Sequence, residues 1–255
     1  MILLMDVGNT NIKLGLSNDT KTIKTWRIAT DPLKTADEFG MTLFDLLNQS
    51  GYKFSDIEGI IISSVVPSIN YTLEHMCTYY IKQKPIVVSP KIKTGLRFEY
   101  TENTLGADRI VNAVAAYTLY GGPVITVDFG TATTFGMVSA DGVFMGGLIA
   151  PGIKPSVESL VNTAAKLPRI ELVRPATVLG KDTVSNMQSG VIYGFTGLVD
   201  YIIKKMKEES GCHNAKVVAT GGMSQLVTQN ESGIVDIIDR ALSLKGLKIL
   251  YEMNK

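Results

Sequence analysis

The chain is poor in cysteine, nearly neutral, and free of long apolar runs. Cys77 and Cys212 are its only cysteines, with neither CxxC spacing nor a histidine pair nearby. That excludes a disulfide framework and a zinc site, and points to free thiols in a reducing cytoplasm. The formal net charge is +1 in 255 residues, so there is no electrostatic footprint for nucleic acid or an anionic membrane, and neither is an expected partner. The apolar run Ile60-Ile61-Ile62 passes into Ser63-Ser64-Val65-Val66-Pro67, far too short to span a bilayer. Met1 to Met5 are apolar, but Asp6 follows at once and no basic segment precedes them, so no secretory signal is expected. His75 and His213 have no motif around them.

What the chain does have is ordinary globular composition, 45% hydrophobic and 19% charged, with a sequence pattern that occurs twice. Leu3-Leu4-Met5-Asp6-Val7-Gly8-Asn9-Thr10-Asn11 opens it, and Val124-Ile125-Thr126-Val127-Asp128-Phe129-Gly130-Thr131-Ala132-Thr133 reopens it at the midpoint. The two aspartates stand 122 positions apart. A buried strand ending in Asp, followed by a Gly-containing turn with hydroxyl or amide side chains, suits a metal–triphosphate. The carboxylate orders Mg²⁺ or its waters, and glycine lets backbone N–H groups approach phosphate oxygens. Two copies at half-chain spacing point to a duplicated domain with nucleotide phosphates in the cleft between the halves.

Periodicity gives both halves the same plan. In the first, strands are expected at Ile2–Met5, Ile12–Leu16 and Lys24–Ala29. A helix follows from Thr35-Ala36-Asp37-Glu38 with its stripe at Phe39, Leu43, Leu46 and Leu47. A strand at Ile57–Val66, a helix from Pro67 to about Lys82, a strand at Pro85–Val88 and a helix at about Ala107–Tyr120 complete it. In the second, strands are expected at Val124–Val127, Thr133–Val138 and Val143–Ile149, then helices at Val157–Ala165 and Gln188–Glu209. A strand at Lys216–Ala219, a helix from near Met223, a strand at Ile234–Ile238 and a final helix close the chain. The break Gly121-Gly122-Pro123 sets the expected lobes at residues 1–121 and 122–255.

Four constellations carry chemistry. Asp6, Asn9, Thr10, Asn11 and Lys13 share a strand–turn–strand, where the lysine ammonium suits β- or γ-phosphate oxygens. Asp128 with Thr131, Thr133 and Thr134 makes a hydroxyl-rich turn for phosphate or a cation. Thr220-Gly221-Gly222, between a strand and a helix start, leaves backbone room for adenine or ribose. In Gly106-Ala107-Asp108-Arg109, the aspartate is either a helix cap or the proton acceptor of an attacking hydroxyl, with Arg109 holding an anionic group. Its place at a helix N-terminus is expected to keep Asp108 ionised and only weakly basic.

Together these elements resemble the acetate kinase, sugar kinase, heat-shock chaperone and actin superfamily, and within it type III pantothenate kinase. The resemblance is carried by Asp6–Asn11, Gly106–Arg109, Asp128–Thr134, Gly146-Gly147 with Pro151-Gly152, and Met187-Gln188-Ser189-Gly190. It implies an α/β fold of two duplicated ribonuclease H-like (actin-like ATPase) lobes. Each lobe would be a mixed sheet flanked by helices, with the active site in the cleft. It implies a cytoplasmic homodimer that phosphorylates pantothenate from ATP, the first step of coenzyme A biosynthesis, using Mg²⁺ and K⁺ or NH₄⁺. By resemblance Asp6, Val7, Gly8, Asn9, Thr10, Asn11, Ile12 and Lys13 cradle ATP with Asp6 near Mg²⁺, and Thr131, Gly221 and Gly222 also contact ATP. Asp108 is the proton acceptor, and Tyr100, Gly106, Ala107, Asp108, Arg109 and Thr183 contact pantothenate. Asp128 is the monovalent-cation ligand.

Two positions depart from the family pattern: Gly136, where some relatives carry an acid, and Asp182, where asparagine is frequent. Three rival readings remain: a nucleotide-binding regulator without turnover, an actin-like polymer, and a kinase for another small hydroxy-acid acceptor. The first predicts loss of Asp108 or Arg109, and both are present. The second lacks any filament segment.

Overall fold

A computed structural model of the protein describes residues 1–18, 21–98, 105–228 and 233–255. In chain order the elements begin with β1 (Ile2–Val7), β2 (Asn11–Ser17), β3 (Thr22–Ala29), α1 (Ala36–Gln49), β4 (Gly59–Ser64) and α2 (Pro67–Met76). Next come β5 (Ile86–Val87), β6 (Arg97–Phe98), α3 (Ala107–Tyr120), β7 (Val124–Phe129), β8 (Ala132–Val138) and β9 (Val143–Pro151). The last are α4 (Ile153–Thr163), α5 (Thr183–Ser210), β10 (Lys216–Gly221), α6 (Ser224–Thr228), β11 (Ile237–Ile238) and α7 (Leu242–Asn254).

The duplication is visible in strand order. One sheet runs β3-β2-β1-β4-β5, and the other runs β9-β8-β7-β10-β11 with β6 added beside β9. In each, the Asp-bearing strand pairs antiparallel with the next strand and parallel with a later one. Both are mixed sheets flanked by helices, as expected of this fold class.

Two compact units result, one of Met1–Leu96, Tyr100–Ala115 and Ala241–Lys255, the other of Arg97–Glu99 and Ala116–Arg240. This division departs from a cut at residue 121. Helix α7 packs on β1, β2 and β4, and β6 pairs with β9, so α7 joins the first unit and β6 the second by long-range contact rather than by chain order.

Side-chain alternation decides what each sheet face carries. In the first unit Leu3, Met5, Val7, Ile12, Leu14, Leu16, Ile60 and Ile62 form one core with Phe39, Leu43 and Leu47 of α1 and Ile69, Leu73 and Met76 of α2. Each such fully buried side chain contributes about 1.5–3 kcal/mol. Helix α1 starts where expected, with Thr35 and Glu38 in a reciprocal capping box. The alternate residues Leu4, Asp6, Lys13, Gly15, Gly59, Ile61 and Ser63 therefore share the opposite face, against which α7 packs. In the second unit Ile125, Val127, Phe129, Phe135, Met137, Val217 and Ala219 pack with Ile153, Val199, Ile203 and Val227. Asp128, Thr134 and Thr220 lie on the other face.

Several expected boundaries shift. The helix from Pro67 ends in a π-helical turn, Cys77–Ile81, capped by Lys82 at φ 61°. Burial of Cys77 there pushes its thiol pKa up to about 12. Helix α4 begins at Ile153 rather than near Val157, and α5 at Thr183 rather than Gln188. The glycines of α5 do not interrupt it. Gly190, Gly194 and Gly197 face open space, so each costs only its propensity, about 1 kcal/mol.

Candidate active site

In the first unit the phosphate-loop candidates form a tight turn between β1 and β2. The Gly8 N–H donates to Asn11 O at 3.1 Å, and Asn9, Thr10 and Asn11 are exposed. Val7 and Ile12 are buried core residues opposite each other in the ladder, so they hold the turn by packing and have only backbone to offer a ligand. The end of β3 braces it: Thr30 Oγ1 donates to Gly8 O at 2.6 Å, and Thr30 N donates to Thr10 O at 3.0 Å. No sequence pattern marks Thr30, because its role depends on β3 folding back across β2.

Asp6 pairs across the ladders with Lys13 on one side and Ser63 on the other. Lys13 Nζ lies 3.6 Å from Asp6 Oδ2, and Ser63 Oγ is buried with no hydrogen-bond partner among the described residues. The carboxylate and the orphan hydroxyl form an oxygen donor set that fits Mg²⁺ or its waters. Among the described residues no three His, Cys, Asp or Glu cluster for a metal. A divalent ion here would lean on phosphate oxygens, as Mg²⁺ commonly does.

The Gly106–Arg109 segment begins α3 in the same unit. The Asp108 carboxylate folds back to accept a hydrogen bond from Arg109 N at 2.8 Å. A side-chain carbon on Gly106 would stand 2.6 Å from Asp108 Oδ1, so glycine is what lets the carboxylate occupy that place. Burial raises the Asp108 pKa, and nearby Asp6 raises it further. The hydrogen bond from Arg109 N and the Arg109 charge oppose this without winning. The expectation that the helix terminus keeps Asp108 only weakly basic is corrected in direction: desolvation outweighs the terminus and strengthens the base.

In the second unit Asp128 is flanked by Thr134 on β8 and Thr220 on β10. Thr220 Oγ1 is buried with no hydrogen-bond partner among the described residues, the counterpart of Ser63. Asp128 and two hydroxyl groups fit a monovalent cation. The following turn is closed by Gly130 N donating to Ala132 O at 3.1 Å, with Thr131 exposed at its tip. Gly221 has φ +92°, and a side-chain carbon on it would stand 2.7 Å from Asp128 Oδ1, which ties this glycine to the cation candidate. Gly222 is exposed beyond it, and Met223 lines a cavity of about 610 Å³ together with Lys154, Val157, Glu158, Arg169 and Leu172.

The remaining candidates are placed less centrally. Thr183 is the exposed first residue of α5. Tyr100 falls outside the described residues. Asp182 is the N-cap of α5, accepting from Ser185 N at 2.9 Å, and that bond lowers its pKa. The departure at Gly136 is steric, since a side-chain carbon would meet Thr126 Oγ1 at 2.9 Å and the Phe144 ring at 3.1 Å. Gln188 and Ser189 hold the irregular segment before α5: Gln188 Nε2 donates to Glu171 O at 2.9 Å, and Ser189 Oγ donates to Val178 O.

A sequence model described as type III pantothenate kinase matches residues 2–205. Solved structures share the fold across nearly all of both chains. A Baf family protein from Campylobacter jejuni, described as a transcriptional activator, is 22% identical, covering 98% of this chain and 97% of that one with a TM-score of 0.62. A protein from Sinorhizobium meliloti described as a 2-dehydro-3-deoxygalactonokinase is 12% identical over 99% and 96%, with a TM-score of 0.61. A ROK family glucokinase from Streptomyces griseus, solved with glucose and AMPPNP, is 13% identical over 98% and 99%, with a TM-score of 0.55.

Proposed function

We propose that this chain, which belongs to the type III pantothenate kinase family, transfers the γ-phosphoryl group of ATP to the hydroxyl of pantothenate. The family is one of enzymes, ATP-using kinases with a small-molecule substrate. The observation that carries the finer reading is Asp108: a partly buried carboxylate of raised pKa, held by a hydrogen bond from Arg109 N at the start of α3. A helix cap has no need of a raised proton affinity, whereas a general base gains from one.

In this reading Asp108 takes the proton of the attacking hydroxyl, and the Arg109 guanidinium holds the substrate carboxylate. The exposed turn at Gly8–Asn11 and the Lys13 ammonium bind phosphate oxygens, while Thr131, Gly221 and Gly222 serve the nucleotide from the second unit. Mg²⁺, when bound, neutralises charge on the transferring phosphate, with Asp6 and Ser63 as its protein oxygens. K⁺ or NH₄⁺ is the ion suited to Asp128, Thr134 and Thr220. Phosphoryl transfer through a loose transition state needs mainly this positioning and charge balance.

The same reading makes the protein a cytoplasmic homodimer with no nucleic-acid or membrane partner. Among the described residues no helix is long and apolar enough to cross a membrane. An exposed glycine stripe on α5 borders an apolar groove lined by Leu160, Met187, Val191, Phe195 and Leu198, which suits a second copy of the helix. The test is a coupled assay with Mg·ATP, with and without pantothenate and with and without K⁺, plus mass detection of phosphopantothenate. Equal ATP hydrolysis in both pantothenate arms removes the acceptor assignment. ATP binding without turnover favours the regulator instead.

A further inference from the structure

Lys13 is the cation that the proposed function assigns to the nucleotide phosphates in the first unit, and Ser243, which it meets, is not adjacent in sequence. Its Nζ lies 3.6 Å from Asp6 Oδ2 and donates to Ser243 Oγ at 3.4 Å. Ser243 stands 230 positions away, in the first turn of α7, and is 3% exposed. An ammonium has three N–H donors, so two directed at protein oxygens leave one for a phosphate oxygen. Lysine carries a long flexible stem, and fixing it before the nucleotide arrives removes an entropy cost from binding.

The placement of Ser243 is itself over-determined. Leu244, the next residue, meets the space above Gly15, where a side-chain carbon would lie 3.3 Å from its methyl groups. Gly246 sits against α3, where a side-chain carbon would come 2.3 Å from Val111 O. Tyr251 lies over Gly59, with its hydroxyl 1.9 Å from where a side-chain carbon would stand. Three close approaches set the register of α7 on the sheet, and that register brings a neutral acceptor to Lys13. Without it the ammonium would have Asp6 as its one partner among the described residues, and would compete for the carboxylate suited to Mg²⁺. The family match ends at residue 205, before this helix, and Ser243 belongs to none of the four constellations read from the sequence.

We propose that Ser243 is a positioning residue for Lys13, holding its ammonium ready for the nucleotide phosphates. The proposal rests on Lys13 as a phosphate contact, and its deciding test, nucleotide binding, is made without pantothenate. Full-length wild type, Ser243→Ala, Lys13→Ala and the double variant are titrated with Mg·ATP by calorimetry, each with a thermal melt. Ser243→Ala is expected to weaken Mg·ATP binding about 3- to 10-fold, the scale of one hydrogen bond to a charged group lost in part. The double variant is expected to bind no worse than Lys13→Ala, because Ser243 acts only through the ammonium. In turnover, KM for Mg·ATP rises more than KM for pantothenate. Wild-type binding by Ser243→Ala, or a loss that adds in full to that of Lys13→Ala, overturns the proposal, the second by making Ser243 a packing residue. Unchanged binding by Lys13→Ala overturns it as well, and leaves pantothenate as acceptor to be judged by turnover alone.

Discussion

Asp6 and Asp128 hold the same place in two copies of one strand plan, yet one has a lysine as its antiparallel ladder partner and the other a threonine. Asp6 lies between Lys13 and Ser63, and Asp128 between Thr134 and Thr220. The first carboxylate has a tethered ammonium within reach, 3.6 Å away. At the second position the duplication has kept the carboxylate and the buried hydroxyl while exchanging that ammonium for a hydroxyl. A K⁺ or NH₄⁺ bound at Asp128 would restore the charge pattern of the first copy.

The cation prediction follows from this exchange. Activity should depend on K⁺ or NH₄⁺, and Asp128→Asn should cost about 10²–10³ in kcat, the scale for losing one preorganised electrostatic group. Thr134→Lys should tether an ammonium beside Asp128 and flatten the K⁺ dependence, read as the ratio of rates with and without K⁺. A wild-type enzyme fully active in Tris buffer alone contradicts the scheme.

For Asp108→Asn, kcat should fall about 10²–10⁴-fold, the usual contribution of a general base. ATP affinity should hardly change, since the nucleotide is assigned to other groups. If Asp108 were only a cap, asparagine would serve nearly as well and turnover would stay near wild type. Steady-state kinetics with a melting curve separate the two.

The raised Asp108 pKa also fixes the direction of a pH effect. The folded chain binds this proton more tightly than the unfolded chain, whose ordinary value is 3.8. The contribution of Asp108 to stability is therefore fully present below that value and is lost as pH rises through the folded pKa. Asp108→Asn should melt higher than wild type at pH 7–8, and the gap should close as pH falls toward 3.8. The acid limb of the kcat/KM profile should be shifted upward from the ordinary aspartate value. A variant that gains nothing at neutral pH would argue against a desolvated carboxylate.

Gly152→Ala should damage the β7–β8 turn, a proposed nucleotide contact. The added carbon would come 2.1 Å from Thr131 O and 2.8 Å from Gly130 O, both backbone atoms, so the turn must move. Nucleotide binding should weaken by at least about tenfold, because misplacement near 1 Å costs up to about a hundredfold in such sites. Gly190→Ala, which meets open space, is the matched control and should bind nucleotide normally.

The dimer is tested on α5. Gly194→Arg places a charged side chain in the groove beside Phe195 and Leu198, and light scattering should report a monomer where wild type is a dimer. A wild-type monomer with full activity at assay concentration removes the dimer from the mechanism.

The sequence by itself determined most of the strand and helix order, though not the two-residue β6, together with the duplication and the two aspartate turns. Those features rest on local alternation, capping and turn chemistry, and Thr35–Glu38 and Ser17-Asn18 are signals of that local kind. It also carried the family, through short motifs whose residues are near neighbours in the chain. Only the tertiary structure decided that the last helix covers the first sheet, that β6 pairs with β9, that Thr30 braces the β1–β2 turn, and that Ser63 and Ser243 stand beside Asp6 and Lys13. Each of these depends on contacts between residues far apart in sequence, which periodicity cannot register. The proton affinity of Asp108 belongs to the same class. A helix N-terminus is legible in four residues, but the burial that overrides it comes from everything packed around them.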